Sequence, residues 1–206
     1  MTTTLNTPPT TATTAAPATV GADPTARLLR VAAVLGPLFF VASSLAWVAG
    51  ADYEELRGIL TFWAMPFTAL AAYGVAGRLQ GRSPVGRAAV TALVTIGACA
   101  GAGFATEINM VDHFGVERLM DQDTPSAFLA LGIPGPMFAV GLALLGLLSF
   151  RQRTLPSAQA LCLALGGVLF PLGRIPQLPE LALATDLLFL AALAPVALTR
   201  RSATEV

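Results

Sequence analysis

Two groups of polar side chains in an otherwise apolar chain could do chemistry. The first centres on Asp186, in the run Leu-Ala-Leu-Ala-Thr-Asp-Leu-Leu-Phe-Leu, with no other charge between Glu180 and Arg200. A carboxylate in such a run must face protein or water and needs a partner, because an unpaired charge in an apolar medium is expensive. Arg174 is the nearest cation in sequence, at the end of the preceding apolar run. The pair could bind a proton or cation, orient a substrate, or simply pin two helices together. The second group is Glu107, Asn109, Asp112 and His113. Carboxylates beside a histidine could act as general acid and base; they could equally be the solvated charge of a loop.

Other chemistries lack their residues. His113 is the sole histidine, and one imidazole is poor for zinc. The chain contains no HExxH, no GxSxG, and no phosphate-binding glycine loop followed by Lys-Ser/Thr. Cys99 and Cys162 both fall inside apolar runs, at depths differing by roughly 10 Å at about 1.5 Å per residue, beyond disulfide reach. No metal and no cofactor are expected. The candidate binding cluster is therefore Glu107, Asp112, His113, Arg174 and Asp186, with no catalytic residue assigned.

The elements that must position these groups are six apolar runs, 30–50, 59–77, 87–107, 127–149, 157–173 and 180–199. A bilayer core of about 30 Å needs about 20 apolar residues per helix, and in lipid only a helix or closed barrel satisfies its own backbone. Charged residues make up 12% of the chain, against about 25% in a soluble domain. The fold class expected is an all-α polytopic integral membrane bundle of six transmembrane helices. Residues 1–26 read as a disordered Thr/Ala/Pro-rich tail, 27–200 as the membrane domain and 201–206 as a short second tail. The first twenty residues carry no arginine and no continuous apolar core, so they do not form a secretory signal.

Charge sets the orientation. The chain has no lysine, and its twelve arginines are sorted. Nine fall with the N-terminus (Arg27, Arg30), residues 78–87 (Arg78, Arg82, Arg87), the 150–156 link (Arg151, Arg153) and the C-terminus (Arg200, Arg201); only Arg57, Arg118 and Arg174 fall in the segments between, with nine of the twelve acids. Arginine-rich loops stay cytoplasmic, which places both termini in the cytoplasm of a cell membrane; the arginine-only usage points to a GC-rich, bacterial source. Trp47 and Trp63 fall near the outer boundary, the depth such rings prefer. The basic face is too dispersed for nucleic acid.

Three further features bear on shape. The third run is rich in small residues and carries a Gly97/Gly101 GxxxG pair suited to close packing; Thr91, Thr95 and Cys99 share one of its faces, their hydroxyls expected to bond back to the helix. Proline interrupts the other five runs, and Pro66, Pro134, Pro136 and Pro171 all lie toward the outer side, where kinks would splay the bundle. The 108–126 link alternates Met110, Val111, Phe114, Leu119 and Met120 with charge and reads as a short surface helix, followed by a helix start at Asp123-Thr124-Pro125.

The leading expectation for function is small-molecule binding or transport through a polar site in the outer half of the bundle. The alternatives are a membrane-embedded enzyme acting on a lipid or isoprenoid, and an accessory or structural subunit. The partners expected are the lipid bilayer and a small-molecule or lipid ligand, with no nucleic acid; self-association remains open.

Overall fold

The computed structural model describes residues 23–119 and 124–198. The two terminal tails fall outside these except for 23–26, where the Asp23 side chain accepts from the Thr25 N–H and Pro24 opens the first helix. The described residues contain no strand. They form α1 (Pro24–Ala49), α2 (Glu54–Gly77), α3 (Pro84–Phe114), a single turn α4 (Pro125–Ala127), a π turn (Phe128–Gly132), α5 (Gly135–Gln152), α6 (Ser157–Arg174) and α7 (Pro179–Leu198). The stretch Pro125–Gln152 makes one span, so six helices are long and apolar enough to cross a membrane. The protein is a multi-pass membrane helical bundle.

The spans close into a ring. Each packs on the next in sequence, α3 packs on α5, and α1 meets α7. Lipid offers no hydrophobic force to join helices, so small residues that admit close backbone approach do the work. A Cβ on Gly146 would run into the backbone of Ala164, one on Gly167 into that of Ala143, and one on Gly36 into Thr68. Gly97 and Gly101 are both buried, but they serve two partners. Gly97 lies against the Phe138 backbone of α5, Gly101 beneath the Met65 side chain of α2. The pair wedges α3 between its neighbours.

Two ends of the ring can now be distinguished. The arginine end carries the 78–83 and 153–156 links, and the acid end carries residues 50–53, 115–119 and 175–178. Toward the arginine end the interior is filled by Val75, Leu79, Val90, Leu145, Leu163 and Leu193, all fully buried. At mid-depth Phe40, Phe138, Phe170 and Phe189, one from each of four spans, meet with ring centroids 5.6–6.4 Å apart. On α3, Thr91 and Thr95 do bond back, to the carbonyls of Arg87 and Thr91 at 2.9 and 2.6 Å. Thr95 also meets the Tyr73 hydroxyl. Both cysteines are free.

One local reading changes and another holds. The first part of the 108–126 link is not a separate surface helix. Residues 108–114 contain no breaker, so α3 runs on to Phe114 and stops at Gly115, whose φ of 64° is left-handed and whose N–H reaches the Val111 carbonyl. Residues 116–118 are not helical, and Met120 lies outside the described residues. The next helix starts as expected at Thr124, whose hydroxyl accepts from the Ala127 N–H. The fourth span is interrupted at its prolines, as their positions led us to expect. Pro134 and Pro136 supply no N–H, so the preceding turn widens and the Ile133 N–H bonds to the Phe128 carbonyl at 2.9 Å.

Candidate functional site

Asp186 is fully buried on α7, and its charge is met from two other helices. Arg174 Nη2 donates to both carboxylate oxygens, at 3.2 and 3.1 Å, and the Ser44 hydroxyl donates to Oδ2 at 2.5 Å. The α6–α7 turn makes this meeting local. Gln177 takes φ 58°, its amide donates to the Arg174 carbonyl, and Gly173 lies against the Ala182 backbone. Consecutive antiparallel helices joined so tightly bring the two residues to similar depth. Arg174 is further held by aromatic faces, 4.1 Å from the Phe170 centroid and 5.2 Å from that of Phe40, a geometry in which ring quadrupoles attract the cation. Its Nη1 is buried without a hydrogen-bond partner among the described residues.

A second arginine is buried one turn into α2. Arg57 is 5% exposed; its Nη1 pairs with Glu54 at 2.9 Å, and its guanidinium lies 4.3 Å from the centroid of the Trp47 ring. The Ser43 hydroxyl donates to the Arg57 carbonyl and meets Thr61 Oγ1 at 2.6 Å, which ties α1 to α2 at this level. A third, Arg118, is half-buried in the link after α3. That link is held back toward the bundle by Glu107, whose Oε1 accepts from the Leu119 N–H. Glu107 Oε2 and Asn109 Oδ1 are buried without hydrogen-bond partners among the described residues. Arg118 and Arg174 both lie close enough for their charges to act on Arg57.

These groups surround one cavity of about 520 Å³ at the acid end. Its polar lining is Ser43, Ser44, Arg57, Thr61, Glu107, Arg118, Arg174 and Gln177; the rest is apolar, chiefly Trp47, Met65, Phe104, Ile108, Phe128, Leu131, Phe170 and Ile175. Phe170 and Ala139 close it on the side of the phenylalanine cluster. Neither a family model, nor a curated protein, nor a solved structure matches the chain. The site must therefore be read from its own geometry.

The five candidate residues do not make one site. Glu107 and Arg174 line the cavity and Asp186 stands behind Arg174. Asp112 and His113 are exposed near the end of α3 and do not line this cavity; the imidazole ring sits edge-on to Phe114 at 4.8 Å. The physical reason is rotation. Five residues of helix turn Asp112 well away from the face of Glu107, at about 100° per residue. No group of three His, Cys, Asp or Glu side chains among the described residues is placed to hold a metal ion.

Reasoning from sequence missed Arg57 and Arg118 as site residues, along with Ser43, Ser44 and Trp47. A signal for the arginines was nevertheless present. The three arginines that break the sorting of charge, Arg57, Arg118 and Arg174, are the three that line the cavity. Its lining thus carries three guanidinium groups and Glu107; Glu54 and Asp186 pair with Arg57 and Arg174 from beside the cavity, and the Arg174 Nη1 donor stays unengaged among the described residues, a type of donor that suits an anion.

Proposed function

We propose that the chain is a multi-pass plasma-membrane protein that binds a small anionic molecule in the acid-end cavity. Both termini lie in the cytoplasm and the cavity faces outward, as the arginine sorting argues. The observation that carries the reading is the convergence of Arg57, Arg118 and Arg174 on one cavity. Burying arginine is expensive; Glu54 and Asp186 offset Arg57 and Arg174, and the Arg174 Nη1 donor remains unengaged among the described residues. Binding is favoured over passage, because the phenylalanine cluster and the leucine layer close the ring beneath the cavity. An acid–base enzyme would need His113 beside a carboxylate within the cavity, and the imidazole is elsewhere. The Asp186–Arg174 pair itself serves as the pin between α6 and α7.

The reading is tested on purified protein in neutral detergent, by thermal unfolding with increasing phosphate, sulfate or a small carboxylate. A ligand that binds only the folded state at about 100 times its dissociation constant adds about 2.7 kcal/mol, a readily measured rise in Tm. The rise should shrink in Arg57→Gln and in Arg118→Gln. Anions that leave Tm unchanged, or that stabilise both variants as well as the parent, would defeat the proposal.

A further inference from the structure

The cavity is lined from both flanks of the seam between the π turn and α6, Phe128, Gly132 and Pro136 on one side and Pro171 and Ile175 on the other. Below the interruption of the fourth span, α5 packs along α6. Above it the π turn packs on α3 and makes no contact of comparable extent with α6. Phe128 and Ile175 are 58% and 73% exposed. The surface outside the seam is apolar, with Leu129, Ile133 and Leu172 exposed, and no charged residue occurs from Thr124 to Phe150. Gly135 borders the cavity, and a Cβ there would meet nothing within 4 Å. Two prolines two residues apart prevent a regular helix at this level.

The distribution of polarity inside the cavity matches one class of molecule. Arg57 lies in the first turn of α2, Arg174 ends α6 and Arg118 lies in a link, so all three guanidinium groups stand near the depth of lipid head groups. Toward the membrane centre the lining is Met65, Gly101, Ala139 and Phe170, a floor that offers a hydrophilic anion no hydrogen bond.

We infer that the occupant is a membrane amphiphile with an anionic phosphate or carboxylate head, received sideways from the bilayer through the seam between the π turn and α6. Its head group lies on the arginines and its chain extends through the seam. The inference rests on the anion-binding reading and adds the source of the anion.

The test uses Trp47, which lines the cavity, as reporter in a Trp63→Phe background, since Trp63 is exposed. The protein is reconstituted in phosphatidylcholine vesicles containing a small fraction of phosphatidic acid or phosphatidylcholine with brominated, quenching acyl chains. Brominated phosphatidic acid should quench Trp47 with about tenfold preference over brominated phosphatidylcholine, the size of one charge-assisted hydrogen bond. Arg118→Gln, which leaves the Arg57–Glu54 and Arg174–Asp186 pairs intact, should remove most of that preference. Gly135→Phe, which places a large side chain at the seam, should abolish acyl-chain quenching while inorganic phosphate or glycerol 3-phosphate still raises Tm. Equal quenching by both lipids, together with arginine-dependent stabilisation by soluble phosphate, would overturn the lipid and leave the anion site standing. Equal quenching with no effect of soluble phosphate would overturn both.

Discussion

Arginine is a surface residue at one end of this bundle and an interior residue at the other. At the arginine end, Arg82 and Arg87 are exposed and donate to neutral oxygens, the Gln152 carbonyl and the Gln80 side chain. At the acid end, Arg57 and Arg174 are packed among aromatic rings and paired with Glu54 and Asp186. The same side chain therefore performs two different tasks. Exposed, it meets the neutral oxygens of nearby links; enclosed, it pairs with acids and lines a cavity. In a sorted chain, the arginines on the unexpected side are the ones to examine for a site.

The largest effect that would sharpen this contrast is at Asp186. Asp186→Ala removes the only counter-charge hydrogen-bonded to Arg174 among the described residues. Breaking a buried pair by deleting one partner costs about 3–5 kcal/mol, so the variant should lose most of its monodisperse fraction in detergent and unfold at much lower temperature. Replacing both members, Asp186→Leu with Arg174→Leu, should recover much of the loss, because no unpaired charge then remains. An Asp186→Ala protein as stable as its parent would show that the pair does not pin α6 to α7.

Six spans were legible in the sequence because bilayer thickness dictates both their length and their apolarity. Their ends were less legible. Helices outrun their apolar runs wherever polar residues do not stop them, as 108–114 do not stop α3. The Arg174–Asp186 pair could be anticipated since it spans a single hairpin. The bond from Ser44 to Asp186 could not, because it joins residues 142 apart and depends on α1 closing against α7. Arg57 and Arg118 line one cavity with residues of α5 and α6 far from them in sequence. Asp112 and His113 were misleading because adjacency in sequence resembles adjacency in space only where the helix face is shared.

A medium effect separates charge from shape at the acid end. Lysine keeps the charge of Arg174 but has a single point of donation and no planar face to lie over Phe170. Arg174→Lys should therefore cost about 1.5–3 kcal/mol, the range of a hydrogen bond to a charged group. Arg82→Lys should cost nothing measurable in the same unfolding assay. Equal tolerance at both positions would erase the distinction between enclosed and exposed arginine.

The smallest stability effect is expected where the net charge is largest. Arg82→Gln combined with Arg87→Gln should change unfolding by within about 0.5 kcal/mol, as surface substitutions do, since glutamine can still donate to the neutral oxygens these residues meet. Yet the segment from Arg78 to Arg87, around the turn from α2 to α3, would keep only one of its three arginines. If these charges act during insertion rather than in the finished fold, a reporter fused after Val206 should appear on both faces of the membrane in cells, while the correctly inserted fraction remains as stable as the parent. Loss of stability with unchanged orientation would assign the exposed arginines a packing role and remove the basis for treating the two ends differently.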